Sequence, residues 1–239
     1  MKSTTIGTPS AANEAIGGVP QFYYYDFASK GRGEVIRLFF EDAGISFVDN
    51  RFSFDEYNNK TVEERAAVNP AGSLPYIDLN GKLLTQSYPI LRYLARQLGK
   101  YDGKTSEEKY FADVICDQAL DWRTRFVDGA FATTKEGLNP ANDSSAFDHH
   151  KDYLMPKYVR GIEKHLAESP FTKAGPFVLG AEISYADFVL YQIYHDEREL
   201  GGPVTELLEK EAPTLKKLVE AVEARPRIAE YFKSDRYFG

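Results

Sequence analysis

The sequence predicts an α/β layer followed by an all-helical domain. Three observations carry this. Short aromatic and β-branched runs alternate with helical patterns as far as Leu98. Residues 99–105 hold Gly, Lys and Asp and little that packs, as a linker does. Beyond them strand patterning stops, and apolar residues recur at helical spacing. A chain of 239 residues is long enough for one large domain or two small ones.

Residues 1–19 are rich in Ser, Thr, Ala and Gly and are expected to be disordered. They lack the apolar centre of a secretory signal. With one Lys, no Arg and an acidic Glu14, they make a poor mitochondrial leader. The aromatic run 21–26 suits a pleated strand. Residues 33–43 predict a helix with Val35, Ile36, Leu38, Phe39 and Phe40 inward and Gly44 as its stop. A second strand is expected over 46–50 and a polar helix over 54–67.

The stretch 69–87 organises this half. Pro75 has no N–H to give a ladder, so it opens the strand 76–79 rather than interrupting it. Asn80-Gly81 marks a tight hairpin. Ser87 is a good N-cap and Pro89 is tolerated in a first turn, so a helix is expected over 87–98. Strand, helix, strand at the start demands a parallel pair, and the hairpin adds an antiparallel edge. A proline-led strand end beside a helix N-terminus makes a corner able to hold a carboxylate.

In the second half, 106–131 carries Phe111, Val114, Ile115, Leu120, Trp122 and Phe126 at helical spacing. A turn-rich break over 138–145, a helix over 147–168, a loop over 175–180 and helices over 184–200 and 214–224 follow, with Pro226 forcing a break. Ser184-Tyr185-Ala186-Asp187 reads as a capping box with Asp in place of Glu, a structural signal.

Composition excludes several functions. Net charge is −7, so nothing would neutralise nucleic-acid phosphates. Cys116 stands alone, which rules out an intramolecular disulfide or a thiolate metal cluster and fits a reducing compartment. The four histidines, 149, 150, 165 and 195, have no metal-ligand spacing. No apolar run reaches the ~20 residues of a membrane span.

The ordered set of an aromatic strand, Lys30-Gly31-Arg32-Gly33-Glu34, Ser73-Leu74-Pro75, Gln86-Ser87, Phe177-Val178-Leu179-Gly180 and Ile183-Ser184-Tyr185-Ala186-Asp187 resembles the cytosolic glutathione transferases. Within them it is most similar to the tyrosine-type classes, sigma above all. The resemblance runs from about Pro20 onward. It implies a thioredoxin-like glutathione-binding domain over 20–99, a linker over 100–105, an all-helical domain over 106–239, a homodimer and a cytoplasmic location. Glutathione is then the co-substrate, and no metal is required.

The resemblance implies a cis Leu74–Pro75 bond, with Ser73, Leu74 and Pro75 holding the cysteinyl amide and Gln86 and Ser87 the γ-glutamyl carboxylate. Arg32 matches the arginine near the thiol. Tyr57 stands where sigma proteins carry a Trp, and Lys60 is the nearest cation for the glycine carboxylate. Asp113, Asp117 and Asp121 share one helix face, and Asp121 is the residue expected to reach the partner subunit's glutathione. The thiol-activating hydroxyl is Tyr24 or Tyr25. Tyr24-Tyr25-Asp26 fits the family's order and puts Tyr24 on the same strand face as Phe22, but leaves Ala28-Ser29 as a two-residue insertion. Tyr25 needs only one inserted residue.

The electrophile pocket is expected from Phe27, Arg123, Phe126, Phe131 and Tyr237. Arg123 and Arg125 on its wall would suit an acidic electrophile such as a fatty-acid hydroperoxide. The implied activity is conjugation of glutathione to small hydrophobic electrophiles, with hydroperoxide reduction as a second outlet. The alternatives are a glutathione-dependent isomerase of prostaglandin D synthase type and a non-catalytic binding or structural protein on the same fold.

Overall fold

The computed structural model describes residues 1–134, 137–140 and 144–238. They form two compact units, 1–100 with 225–239, and 101–224.

The first unit is built on a five-stranded sheet of order β1-β3-β2-β4-β5. Its strands are β1 (Lys2–Ile6), β2 (Gln21–Tyr25), β3 (Phe47–Phe52), β4 (Tyr76–Leu79) and β5 (Lys82–Thr85). Helices α1 (Ala11–Ile16) and α2 (Gly31–Ala43) lie between the first three strands in sequence. The crossover through α2 makes β2 and β3 parallel, and every other pairing is antiparallel. The expected hairpin turns at Asn80 and Gly81, both at positive φ, with the Asp78 carboxylate accepting from the Gly81 amide at 2.7 Å.

The disorder expected over residues 1–19 is corrected. β1 pairs along the free edge of β3, from Lys2 opposite Arg51 to Ile6 opposite Phe47. Strand pairing draws on backbone groups and β-branched Thr4, Thr5 and Ile6, so it does not need the large apolar residues whose lack suggested disorder. Helix α1 is fixed by Asn13, buried with all its polar atoms used. It donates to the carbonyls of Ser46 (2.7 Å) and Gly18 (3.1 Å) and accepts from the amides of Ser46 (2.9 Å) and Ser10 (3.1 Å).

Helix α2 buries the five predicted apolar residues and also Glu34 and Arg37. The polar helix expected over 54–67 is two, α3 (Phe54–Asn58) and α4 (Val62–Val68), because Thr61 starts a second capping box with Glu64 after the one between Ser53 and Glu56. Helix α5 (Ser87–Leu98) follows the hairpin and buries Ile90, Leu91 and Leu94. The N-cap position is held by Gln86 rather than Ser87, which is the first helical residue.

The second unit comprises α6 (Ser106–Ala130), a hairpin β6 (Phe131–Thr134) and β7 (Gly137–Pro140), α7 (Ser144–His149), a π-helical turn (His150–Leu154), α8 (Met155–Glu168), α9 (Tyr185–Arg198), α10 (Gly202–Glu211) and α11 (Pro213–Glu223). The break expected over 138–145 falls partly on β7 and partly outside the described residues. Helix α10 was not predicted. Its apolar contribution is only Val204 and Leu208, too sparse for a helical stripe. Helix α9 is buried on most sides. At its start the Asp187 carboxylate accepts from the Ser184 amide and hydroxyl, both 2.7 Å, and the Val178 amide, 2.8 Å. Near its end Glu197 accepts from the Trp122 indole N–H at 2.7 Å and bonds His150 Nε2 at 2.9 Å.

Residues 225–239 were expected in the helical domain. The structure groups them with the first unit. Helix α12 (Pro226–Phe232) packs on α2 with Ile228 and Tyr231 buried. Two polar contacts fix it there, Arg225 to Asp42 at 2.8 Å and the Tyr231 hydroxyl to Glu34 at 2.6 Å. No helix among the described residues is long and apolar enough to cross a membrane.

Candidate active site

The sheet register aligns three of the expected residues. Tyr23 lies opposite Tyr76, and Tyr76 opposite Thr85. One step along each strand puts Tyr24, Pro75 and Gln86 in a row at one end of the sheet. The N-terminus of α2 reaches the same end. A Cβ on Gly31 would stand 2.9 Å from the Tyr24 hydroxyl, and one on Gly33 would stand 2.1 Å from the Tyr24 ring. The small residues of the Gly31-Arg32-Gly33 turn are therefore what lets the tyrosine lie against the helix start.

Pleating separates the consecutive tyrosines. Phe22 and Tyr24 face α2, and the Arg37 guanidinium lies 5.0 and 5.9 Å from their ring centroids. Tyr23 and Tyr25 face the other way. Tyr23 stacks on Tyr76 at 4.5 Å and serves packing. Tyr25 stacks on Phe54 at 4.4 Å, and its hydroxyl donates to Asn58 Oδ1 at 3.0 Å. Burial, with smaller contributions from Tyr57 and Tyr24, pushes the Tyr25 phenol up to about 12, against an opposing effect of Arg65.

The loop before β4 is shaped by Asn69. Its side chain donates to the Ser73 carbonyl at 2.7 Å and accepts from the Ala71 amide at 3.0 Å. This presents Ser73, Leu74 and Pro75 at the strand end, with the Leu74–Pro75 bond cis. Across the sheet, Gln86 has φ 69°, an uncommon value for a non-glycine residue, and is exposed. Ser87 beside it is buried in the first turn of α5. Backbone amides of that turn have no intrahelical acceptor, so the corner is suited to a carboxylate.

The remaining expected residues divide. Arg32 is half-buried in the first turn of α2, and its Nε is buried with no hydrogen-bond partner. Tyr57 is buried, its phenol raised by burial, with the Arg65 guanidinium 5.8 Å from its ring centroid. Lys60 is exposed between α3 and α4. Phe27 packs edge-on against Phe54 at 5.5 Å. Tyr237, expected on a pocket wall, is half-buried against Phe232 (4.5 Å) and Tyr231 (5.4 Å).

In the second unit Asp121 is exposed on α6. Asp113 is half-buried and accepts from the Tyr185 hydroxyl at 2.9 Å. Arg123 departs from expectation. It is buried, 2.6 Å from the Asp196 carboxylate, so its charge is answered inside the bundle and no cationic wall with Arg125 forms. Phe126 is buried next to His150 at 6.0 Å. The side chain of Phe131 lies outside the described residues.

Sequence reasoning missed one group close to Tyr24. Arg37 Nε and Nη2 bind the two Asp49 oxygens at 3.0 and 3.1 Å, and Nη1 reaches Glu34 at 3.2 Å, all buried. Two opposite charges three residues apart inside an otherwise apolar helix were the available signal.

Comparison with known proteins agrees with this geometry. The family model described as glutathione S-transferase, N-terminal domain, matches residues 20–96, and that described as glutathione S-transferase, C-terminal domain, matches 120–235. The chain is 30% identical over 220 residues to glutathione S-transferase P 1 of Xenopus laevis, covering 91% of this chain and 94% of that protein. It is 29% identical over 218 residues to glutathione S-transferase P 10 of Caenorhabditis elegans, covering 90% and 91%. Among solved structures it resembles the Pi-class glutathione S-transferase of Onchocerca volvulus, with TM-score 0.71, 25% identity and coverage of 89% and 91%. The thioredoxin-like layer with a helical C-terminal domain is thus the fold expected from the sequence.

Proposed function

The chain belongs to the glutathione S-transferase family, and from that premise we propose that it activates the glutathione thiol with the hydroxyl of Tyr24. A free thiol has a pKa of roughly 8.5, so only a few per cent is thiolate at neutral pH. A phenol that donates a hydrogen bond to the sulfur favours the charged form. Lowering the thiol pKa by about two units corresponds to about 2.7 kcal/mol.

The observation that carries the choice of tyrosine is the row Tyr24, Pro75, Gln86 in the register, together with the commitment of the Tyr25 hydroxyl to Asn58. In this reading the Leu74 backbone beside Pro75 and Ser73 pairs with the cysteinyl amide of the tripeptide. Gln86 and Ser87 hold its γ-glutamyl carboxylate, and Arg32 stands near the sulfur. Tyr57 with Arg65, more than exposed Lys60, faces the glycyl arm. Asp121, exposed on α6, serves the glutathione of the neighbouring subunit in a cytoplasmic homodimer. This makes the chain a tyrosine-type, sigma-like enzyme.

The thiol loses its proton and the sulfur attacks an electrophilic carbon. A C–S bond forms and the leaving group departs with its electron pair. No metal enters the step. With Arg123 neutralised by Asp196, small neutral hydrophobic electrophiles suit the site better than acidic ones.

Chlorodinitrobenzene turnover tests the choice. Near pH 6.5 the Tyr24→Phe variant is expected to lose about 10- to 100-fold in kcat/KM, following the lost thiolate fraction. Tyr25→Phe is expected to lose less than about threefold, since its hydroxyl serves a neutral hydrogen bond. Equal activity of wild type and Tyr24→Phe would sink the proposal.

A further inference from the structure

The loop 26–30 between β2 and α2 carries the walls around the Tyr24 hydroxyl, namely Gly31 at its end and the Phe27 ring. It also holds the two residues, Ala28 and Ser29, that stand as an insertion in the family spacing. Its path is tight. Ala28 has φ 42° and Gly31 φ 72°, and Phe27 and Ser29 form an isolated bridge. A left-handed non-glycine residue costs about 1–2 kcal/mol, so something must hold the loop in this course.

One anchor is near β2. The Asp26 amide donates to the Phe52 carbonyl at 2.7 Å, and the Asp26 carboxylate meets Lys2 of β1 at 2.7 Å and Arg51 at 3.7 Å. The second anchor is Ser29, a polar side chain fully shut off from solvent. Its Oγ accepts from the Phe238 amide at 2.9 Å. The same hydroxyl also bonds the Tyr231 phenol, an effect that opposes the rise caused by burial and by Glu34. A serine hydroxyl has one proton to donate and lone pairs to accept with, so the C-terminal segment occupies it from both sides.

That segment is itself fastened. Tyr231 donates to Glu34 at 2.6 Å, and Glu34 meets Arg37, whose guanidinium lies over the Tyr24 ring. Arg236 pairs with Glu41 and lies 5.1 Å from the centre of the Tyr231 ring. Tyr237 packs on Phe232. The last residues of the chain thus bear on the loop from behind, while Tyr24 touches it from the front.

We infer that Ser29 is a positioning residue for Tyr24, and that the C-terminal segment through Phe238 sets how well the tyrosine hydroxyl stabilises the thiolate. The inference rests on Tyr24 being the activating group. Ser29 and Phe238 touch no reacting atom in this scheme. They fix the loop that fixes the hydroxyl.

The test compares the full chain with Ser29→Ala, a chain ending at Tyr237, the two changes combined, and Tyr24→Phe. For each, the apparent pKa of bound glutathione is read from thiolate ultraviolet absorbance, beside the pH profile of kcat/KM with chlorodinitrobenzene, KM for glutathione and Tm. Ser29→Ala and the shortened chain are each expected to raise the thiol pKa by about half a unit to one unit, about three- to tenfold less thiolate at acidic pH. KM for glutathione should stay within about twofold. The combined variant should add little to either alone, because both changes break one contact. An unmoved thiol pKa in the shortened chain overturns the inference, even if Tm falls or turnover drops equally at all pH. That variant keeps Ser29 and decides the matter should Ser29→Ala fail to fold. If Tyr24→Phe leaves the thiol pKa where it was, the tyrosine reading fails first. If only Tyr24→Phe moves it, the tyrosine stands and the tail has no part.

Discussion

Two adjacent tyrosines of the same type meet different fates because a strand turns successive side chains to opposite faces. Tyr25 spends its hydroxyl on Asn58, and Tyr24 lies against the glycine turn of α2. The sequence could order the motif but could not count the loop, since Ala28 and Ser29 shift the spacing that separates the two candidates. Arg123 was misjudged for a related reason. Helical spacing places residues on a face, but the partner that neutralises this one, Asp196, is 73 positions away. Gly31→Ala tests the glycine turn at this scale. The substitution forces a left-handed alanine, about 1–2 kcal/mol, and sets a methyl group 2.9 Å from the Tyr24 hydroxyl. Loss of at least about fivefold in kcat/KM is expected, with urea unfolding reporting the stability cost. Undiminished turnover would mean that the hydroxyl is not confined by this turn.

Elements with strong local chemistry were legible: the Asn80-Gly81 hairpin, α2 up to its Gly44 stop, and the Asp187-capped start of α9. Elements whose existence depends on a distant partner were not. β1 is a strand because β3 has an open edge, and α12 joins the first unit because Glu34 and Asp42 wait for it. Neither condition is visible from local composition. Asn13 shows how firmly the first such element is attached. Asn13→Ala leaves the buried Ser46 amide and carbonyl without their side-chain partner, an expected cost of about 2–4 kcal/mol in urea unfolding. Amide hydrogen exchange over β3 should quicken at the same time. A variant as stable as wild type would show that β1 and α1 are held by backbone pairing alone.

At the level of the whole molecule, acidity acts on the second unit through Asp187. Burial pushes its carboxyl up to about 6 from an ordinary 3.8, outweighing the hydrogen bonds from Val178 and Ser184. The folded chain then holds this proton more tightly than the unfolded one. The contribution is fully present below about 3.8 and is lost as pH rises through about 6, on the order of 3 kcal/mol across the window. Asp187→Asn should flatten that slope in stability measured by urea at several pH values, and an unchanged slope would assign it to other groups. The division into an α/β unit and a helical unit was plain in the sequence, since strand patterning ends at the linker; only the return of residues 225–239 was hidden.

Trp122 gives these two units unequal visibility. It is the chain's sole tryptophan, it sits in the helical unit, and its indole N–H is tied to Glu197. Intrinsic fluorescence therefore watches one half of the chain, while circular dichroism sums both. Melting curves from the two probes that fail to superimpose would reveal halves that come apart in sequence, and coincident curves would mark a single cooperative event.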